Sequence, residues 1–326
     1  MRFCYPVNAM LLATIGLLMT GSAFAQTNFP TKPIRFIVPF TPGGSTDAVA
    51  RMIGLKMTDA WGMQTFVESR PGGNTVIGTE AIARAPADGY SILLTSNFFV
   101  ITPNLLQKLP YDPVKDFAPV STVCGLELVL VVHPSLPVKT VKDFIALAKA
   151  KPDQLNFASS GSGGAPHLAG ESFKLMTGVK MQHIPYKGSG PAITDLIGGQ
   201  VQLYFTVTAN AVPMIKNGRV KAIAVTGEKR LPALPQMPTF AESGLPGFNM
   251  KTWFGILAPA STPKPIVDKM SVELARIMAL PDIKEKLASQ SMDPFVLNSD
   301  QFAALIKSEL ATFGNIIREA KIKADD

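Results

Sequence analysis

An α/β fold built from open sheets flanked by helices is predicted by three observations. Short apolar strands alternate with apolar-periodic helices, and no segment is of low complexity. Several strands are unbroken apolar runs, as strands buried on both faces require. Two strand–turn–helix units carry turns of glycine and serine, IRFIVPFTPGGSTDAVAR at residues 34–51 and LNFASSGSGGAPHLAGESF at residues 155–173. In such a unit the first-turn N–H groups of the helix have no intrahelical partner, and the helix dipole places partial positive charge on them. An anion is stabilised there without Arg or Lys. One turn in each half of the chain points to a pair of cradles closing on a single small acid.

The elements follow from local pattern. Residues 34–40, 65–68, 90–95, 126–132, 156–159, 181–184, 201–205, 220–225 and 252–257 are predicted strands, with helices between them. The helix at 47–61 gathers Ala48, Val49, Met52, Ile53 and Leu55 on one face. Thr140 precedes a helix at 141–151 and is placed to form a capping box with Asp143. Pro191 and Pro265 stand where first-turn prolines belong. A C-terminal helix starts near Ser299 and carries Phe302, Leu305, Ile306 and Leu310 on one stripe. Open sheets of this kind bind ligands beyond the C-terminal ends of their strands.

Composition narrows the function. Residues 1–25 read as an export signal, with Arg2 at the charged end, an apolar stretch at 9–19, and Ala23-Phe24-Ala25 before Gln26. The stretch is too short to span a bilayer; an uncleaved anchor is the alternative. Cleavage after Ala25 leaves residues 26–326, too long for one ordinary core, so two domains are expected. Cys4 departs with the signal, and Cys124 is then a lone thiol in an apolar strand, expected to act as a small core residue. The net charge of +7 is spread out, without the basic runs or interleaved aromatics of a nucleic-acid groove.

Enzyme motifs are missing. There is no Gly-x-Ser-x-Gly elbow, no His-Glu-x-x-His and no phosphate loop, and Pro166 stands where a dinucleotide fingerprint needs its third Gly. Three His and one mature Cys make no metal cluster, so neither metal nor cofactor is expected.

A set of longer motifs carries a resemblance. VPFTPGGSTDAVAR at 38–51, ADGYSILL at 87–94, LPYDPVKDFAPV at 109–120, HLAGESFK at 167–174, HIPYKGSGPA at 183–192, PTFAESGLPG at 238–247 and WFGILAPASTP at 253–263 occur in this order. The chain closely resembles the periplasmic solute receptors of tripartite tricarboxylate transporters, the Bug receptors, over nearly all its mature length. The resemblance implies a type II periplasmic binding-protein fold, two α/β domains joined by two crossing hinge strands. Domain 1 would comprise residues 26–122 and 251–326 and domain 2 residues 123–250, with crossings at 123–130 and 248–254. It also implies a small carboxylate ligand in the interdomain cleft, delivery to membrane permease subunits, a periplasmic location and a monomer. A ligand-sensing partner of a membrane sensor is the alternative from another class.

Site residues follow from the residues and the resemblance together. Phe40, Thr41, Gly43, Gly44, Ser45 and Thr46 form the first cradle, and Ser160, Gly161, Gly163 and Gly164, with Ser162 between them, form the second. Asp47 sits four residues before Arg51 and is expected to pair with it rather than with ligand. Asn97 and Thr206 belong to two loops, 96–99 and 206–208, expected to read the rest of the ligand. Many relatives carry Asp at the position of Thr206, and its absence weighs against an amino-acid ligand. Relatives often carry Thr or Ser where this chain has Gly164. Phe98 and Phe99 serve either an apolar ligand body or the core. His167 is expected at the second cradle as a donor to the anion, with a local backbone contact as the alternative for it and for His183. His133 and Lys187 read as structural and as a rim charge.

Overall fold

The structure is a computed structural model describing residues 28–186 and 188–323; the expected export signal at 1–25 and Lys187 lie outside them. β1 (Ile34–Val38) leads through the first glycine turn into α1 (Ser45–Trp61), followed by β2 (Thr65–Ser69), α2 (Val76–Ala83) and β3 (Ser91–Ser96). β1 runs parallel to both β2 and β3. After α3 (Phe98–Leu105) comes β4 (Phe117–Val132), the longest strand described. The second half holds α4 (Val141–Ala150), β5 (Asn156–Ser159), α5 (Ala165–Thr177), β6 (Gln182–Pro185), α6 (Ser189–Ile197), β7 (Leu203–Val207), α7 (Thr208–Lys216) and β8 (Lys221–Val225). β9 (Lys251–Pro259), α8 (Lys264–Ala279), α9 (Pro281–Ser289), the short β10 (Asp293–Pro294) and α10 (Ser299–Glu319) return the chain to the first half.

The strand order is β2-β1-β3-β9-β4-β7-β5-β6, with β8 and β10 also paired to β4. β4 changes partners along its length. Residues 117–127 pair antiparallel with β9, whereas Leu128–Val132 pair antiparallel with β7. One strand therefore belongs to two sheets, and the change falls at Glu127/Leu128. The second crossing runs from β8 into β9. The buried Thr226 hydroxyl ties the two crossings together, donating to the Met250 carbonyl at 2.6 Å and accepting the Leu128 N–H at 3.0 Å.

Each half has its own core. Val49, Ile53 and Met57 of α1 and Met270, Leu274 and Ile277 of α8 close over Phe36, Leu94 and Ile256. In the second half Leu196, Ala211 and Tyr204 pack on Val129 and Val131. A further cluster joins Phe144, Phe157, Phe173 and Phe205 to Phe302 and Phe313 of α10. Each fully buried ring of this kind contributes roughly 1.5–3 kcal/mol. α10 thus lies against α3 in one half and α5 in the other.

Most local expectations hold. Thr140 and Asp143 form the capping box, Pro191 and Pro265 lie in first turns, and α10 starts at Ser299 behind an Asn298 cap. Cys124 is fully buried beside Met292, and burial pushes its thiol up to about 12, which leaves no nucleophile. Two expectations need correction. β4 begins at Phe117, not 126, because Pro119 and two register shifts break its apolar run without ending its pairing with β9. The two expected loops are not loops: Asn97 caps α3, Phe98 and Phe99 form its first turn, and Thr206 and Val207 end β7. The all-apolar first turn of α3 has no polar face to signal a helix.

Candidate functional site

The first turn carries its strain at Gly43, not Gly44. Gly43 has φ +81°, a conformation that favours glycine, whereas Gly44 has φ −77° and ψ 172° and serves as the N-cap of α1. No side chain caps this helix, so its first N–H groups are left to whatever approaches the turn. Asp47 lies in that first turn but faces Arg51, which grips it with two hydrogen bonds of 3.0 Å, and it also accepts the Gly43 N–H at 3.2 Å. The Arg51 contact, helped by the Gly43 amide, holds the Asp47 carboxyl below its usual range. The expected pairing is therefore present. With Arg51 largely exposed, the pair is worth no more than about 1 kcal/mol.

The second turn is built likewise. Gly161 has φ +145° and Gly163 φ +76°, and Gly164, again extended, is the N-cap of α5 without a side-chain cap. His167 does not face the turn's open side. Its Nδ1 accepts the Gly163 N–H at 2.9 Å, and its ring stacks on His183 with centroids 3.6 Å apart. His183 Nε2 lies 2.6 Å from Ser159 Oγ, which in turn donates to the Gly161 carbonyl at 3.0 Å. The two imidazoles brace the loop from behind. From the first half, Leu105 of α3 reaches Gly163 so closely that an added Cβ would sit 2.5 Å from its Cδ1.

Both turns open onto one cavity of about 380 Å³. Phe40, Thr41, Gly44, Ser45, Thr46, Asn97, Ser160, Gly161 and Gly164 line it. Gly43 and Gly163 shape the turns without lining it, His167 stands behind, and Thr206 is fully buried on β7 with its hydroxyl near Asn210 Nδ2 at 3.4 Å. Of the phenylalanine pair, Phe98 lines the cavity, edge-on to Phe40 at 6.1 Å, while Phe99 packs in the core against Phe117.

Sequence reasoning missed Ser189, Tyr204 and Thr252 and named Phe254 only as part of a crossing; all four line the cavity. Ser189 had a signal, because it opens α6 after a third Gly-Ser turn. The others reach the site through strand pairing, which no local pattern reveals.

No lining residue is charged. The electrostatics come instead from helix starts, since α1, α3, α5 and α6 each begin at a lining residue. Each such end carries roughly half an elementary positive charge. Asn97 Nδ2 and Thr252 Oγ1 have no hydrogen-bond partner among the described residues. Among the described residues no group of three His, Cys, Asp or Glu could hold a metal ion, and no helix is long and apolar enough to cross a membrane. A second cavity of about 790 Å³ lies behind the crossing strands, lined by Glu127, Lys251, Trp253 and Glu309 among others. β9 separates the two, turning Thr252 and Phe254 to one and Lys251 and Trp253 to the other.

The family model of the tripartite tricarboxylate transporter family receptor matches residues 49–322. The chain belongs to that receptor family. Protein BugT of Bordetella pertussis is 36% identical to this family member over 321 residues, covering 96% of this chain and 98% of BugT. Among solved structures, the R. palustris protein Rpa4515 with adipate is 33% identical, covers 91% of this chain and 100% of its own, and superposes with a TM-score of 0.75. MatC from Rhodopseudomonas palustris with bound malate is 29% identical, with coverages of 89% and 100% and a TM-score of 0.70. This family member accordingly has the two-domain, type II periplasmic binding-protein fold, and its family is one of solute receptors rather than enzymes.

Proposed function

We propose that the chain is a periplasmic solute-binding receptor that captures a small carboxylate between its two glycine turns and delivers it to the membrane subunits of a tripartite tricarboxylate transporter. One observation carries this reading: two uncapped helix starts, one from each half, meet at a single cavity without charged side chains. Such a site holds an anion through main-chain amides and helix dipoles. The adipate and malate held by two relatives agree with it. Residues 26–122 and 251–326 then form one domain and residues 123–250 the other. They close as the partner change in β4 and the chain entering β9 flex. Export with cleavage after Ala25 and action as a monomer complete the proposal.

A carboxylate library tested by thermal shift is the direct experiment. A ligand at a hundred times its dissociation constant adds about 2.7 kcal/mol of stability, which raises the melting temperature by several degrees. Small-angle scattering with and without a hit is expected to show compaction. Stabilisation by amines or sugars but by no carboxylate overturns the reading, and an unchanged radius of gyration at saturation removes the closure.

A further inference from the structure

The helix starts account for one end of a guest. Aromatic rings line the same cavity. Phe40 and Phe98 stand edge to face there, and Tyr204 and Phe254 add two further rings. The same lining holds two polar groups without a partner among the described residues. Asn97 is 1% exposed with its Nδ2 unpartnered, and the Thr252 hydroxyl is buried and unpartnered as well. The ladder sets both near one end of the sheet. Ser96 of β3 is opposite Phe254 of β9, so Asn97 and Thr252 fall at the end of the same strand pair. A buried amide donor without a partner is destabilising, a cost that a guest's acceptor would remove. A second carboxylate would fit among these rings poorly. It would lose its water against aromatic rings, with two neutral groups and only the start of α3 to meet its charge.

We propose that this cleft selects a monocarboxylate whose flat, uncharged body lies among Phe40, Phe98, Tyr204 and Phe254 and presents a hydrogen-bond acceptor to Asn97 and Thr252. The proposal rests on the carboxylate-receptor reading and narrows it away from the dicarboxylates adipate and malate held by the two relatives. Asn97 and Thr252 are then the selecting residues, separate from the turns that hold the acid.

Calorimetric titration of the whole mature protein with benzoate, monomethyl terephthalate, terephthalate and adipate tests it. The first three share one ring and one carboxylate; the second adds a neutral acceptor and the third a second charge. Monomethyl terephthalate is expected to bind about tenfold tighter than benzoate, the worth of one well-made hydrogen bond, and about a hundredfold or more tighter than terephthalate, which must desolvate a second charge. Asn97→Ala and the isosteric Thr252→Val should each shrink its advantage over benzoate by about fivefold, near 1 kcal/mol. The Thr252 hydroxyl serves no internal partner, so its removal leaves the fold intact, and circular dichroism checks this. Tighter binding of adipate or terephthalate than of the monoester overturns this inference and leaves the carboxylate receptor standing. So does an advantage that survives in both variants. If none of the four acids binds the wild-type protein, this inference falls, and the receptor reading stands or falls with the carboxylate library.

Discussion

Gly44→Val is expected to lower carboxylate affinity by about a hundredfold or more, equivalent to about 2.7 kcal/mol, while the protein stays folded. Gly44 has the extended backbone of an ordinary N-cap, so valine introduces no strain of the kind a positive φ would cause. An added Cβ would find its nearest atom, the Thr41 carbonyl oxygen, at 3.6 Å, an ordinary contact. The branches therefore project into the cavity that Gly44 lines and cover the uncapped N–H groups of α1. Loss of the glycine cap costs about 1 kcal/mol of stability at most. Gly43→Val makes the contrast. Its φ of +81° makes that variant strained, and its melting temperature should fall whether or not ligand is present. Calorimetry and thermal melts separate the two effects. Undiminished affinity in a folded Gly44→Val protein would remove the first turn from the site.

Glu309→Gln should stabilise the protein at pH 8 by up to about 3 kcal/mol and change it little at pH 4. Burial pushes the Glu309 carboxyl from 4.5 up to about 7, against the opposing hydrogen bond from Trp253 Nε1 at 2.7 Å. The folded chain thus holds more protons than the unfolded chain between pH 4.5 and about 7. Stability from this group is fully present below 4.5, declines as pH rises through that window, and levels off above it. Glutamine keeps an acceptor for the indole and removes the charge. Glu127, on the wall of the same cavity, is also raised by burial, with Lys251 at 3.1 Å opposing the shift, so part of the slope persists in the variant. Urea unfolding at pH 5 and pH 8 measures the difference. A slope identical to wild type would show that Glu309 ionises freely in the fold.

Features that depend on neighbours in sequence were legible, and features that depend on distant pairing were not. The glycine turns, the Thr140–Asp143 box, the Asp47–Arg51 pair and the start of α10 each lie within a few residues of their own signal. The division of labour between Gly43 and Gly44 escaped detection, because two adjacent glycines carry no mark of which one bears the positive φ. Of the two expectations for His167, the local backbone contact is the one present: it braces the rear of its turn through the Gly163 N–H. That position depends on β5 pairing with β6, which sets His183 opposite Phe157 and builds the stack of rings. Thr252 and Tyr204 reach the cleft only once β3, β9, β4 and β7 are assembled. The two-domain architecture itself came from resemblance, since periodicity indicates α/β layers but not where a chain crosses between them.

The alternation along β9 gives the protein a built-in optical gauge. Trp253, one of two tryptophans in the chain, sits between Thr252 and Phe254 yet faces away from any guest, its indole held by Glu309 and edge-on to Phe302. Emission from that indole is expected to report the proposed closure through movement of β9, without direct contact with the bound molecule. Trp61, at the end of α1 against Phe29, lines neither the cavity at the glycine turns nor the one behind β9.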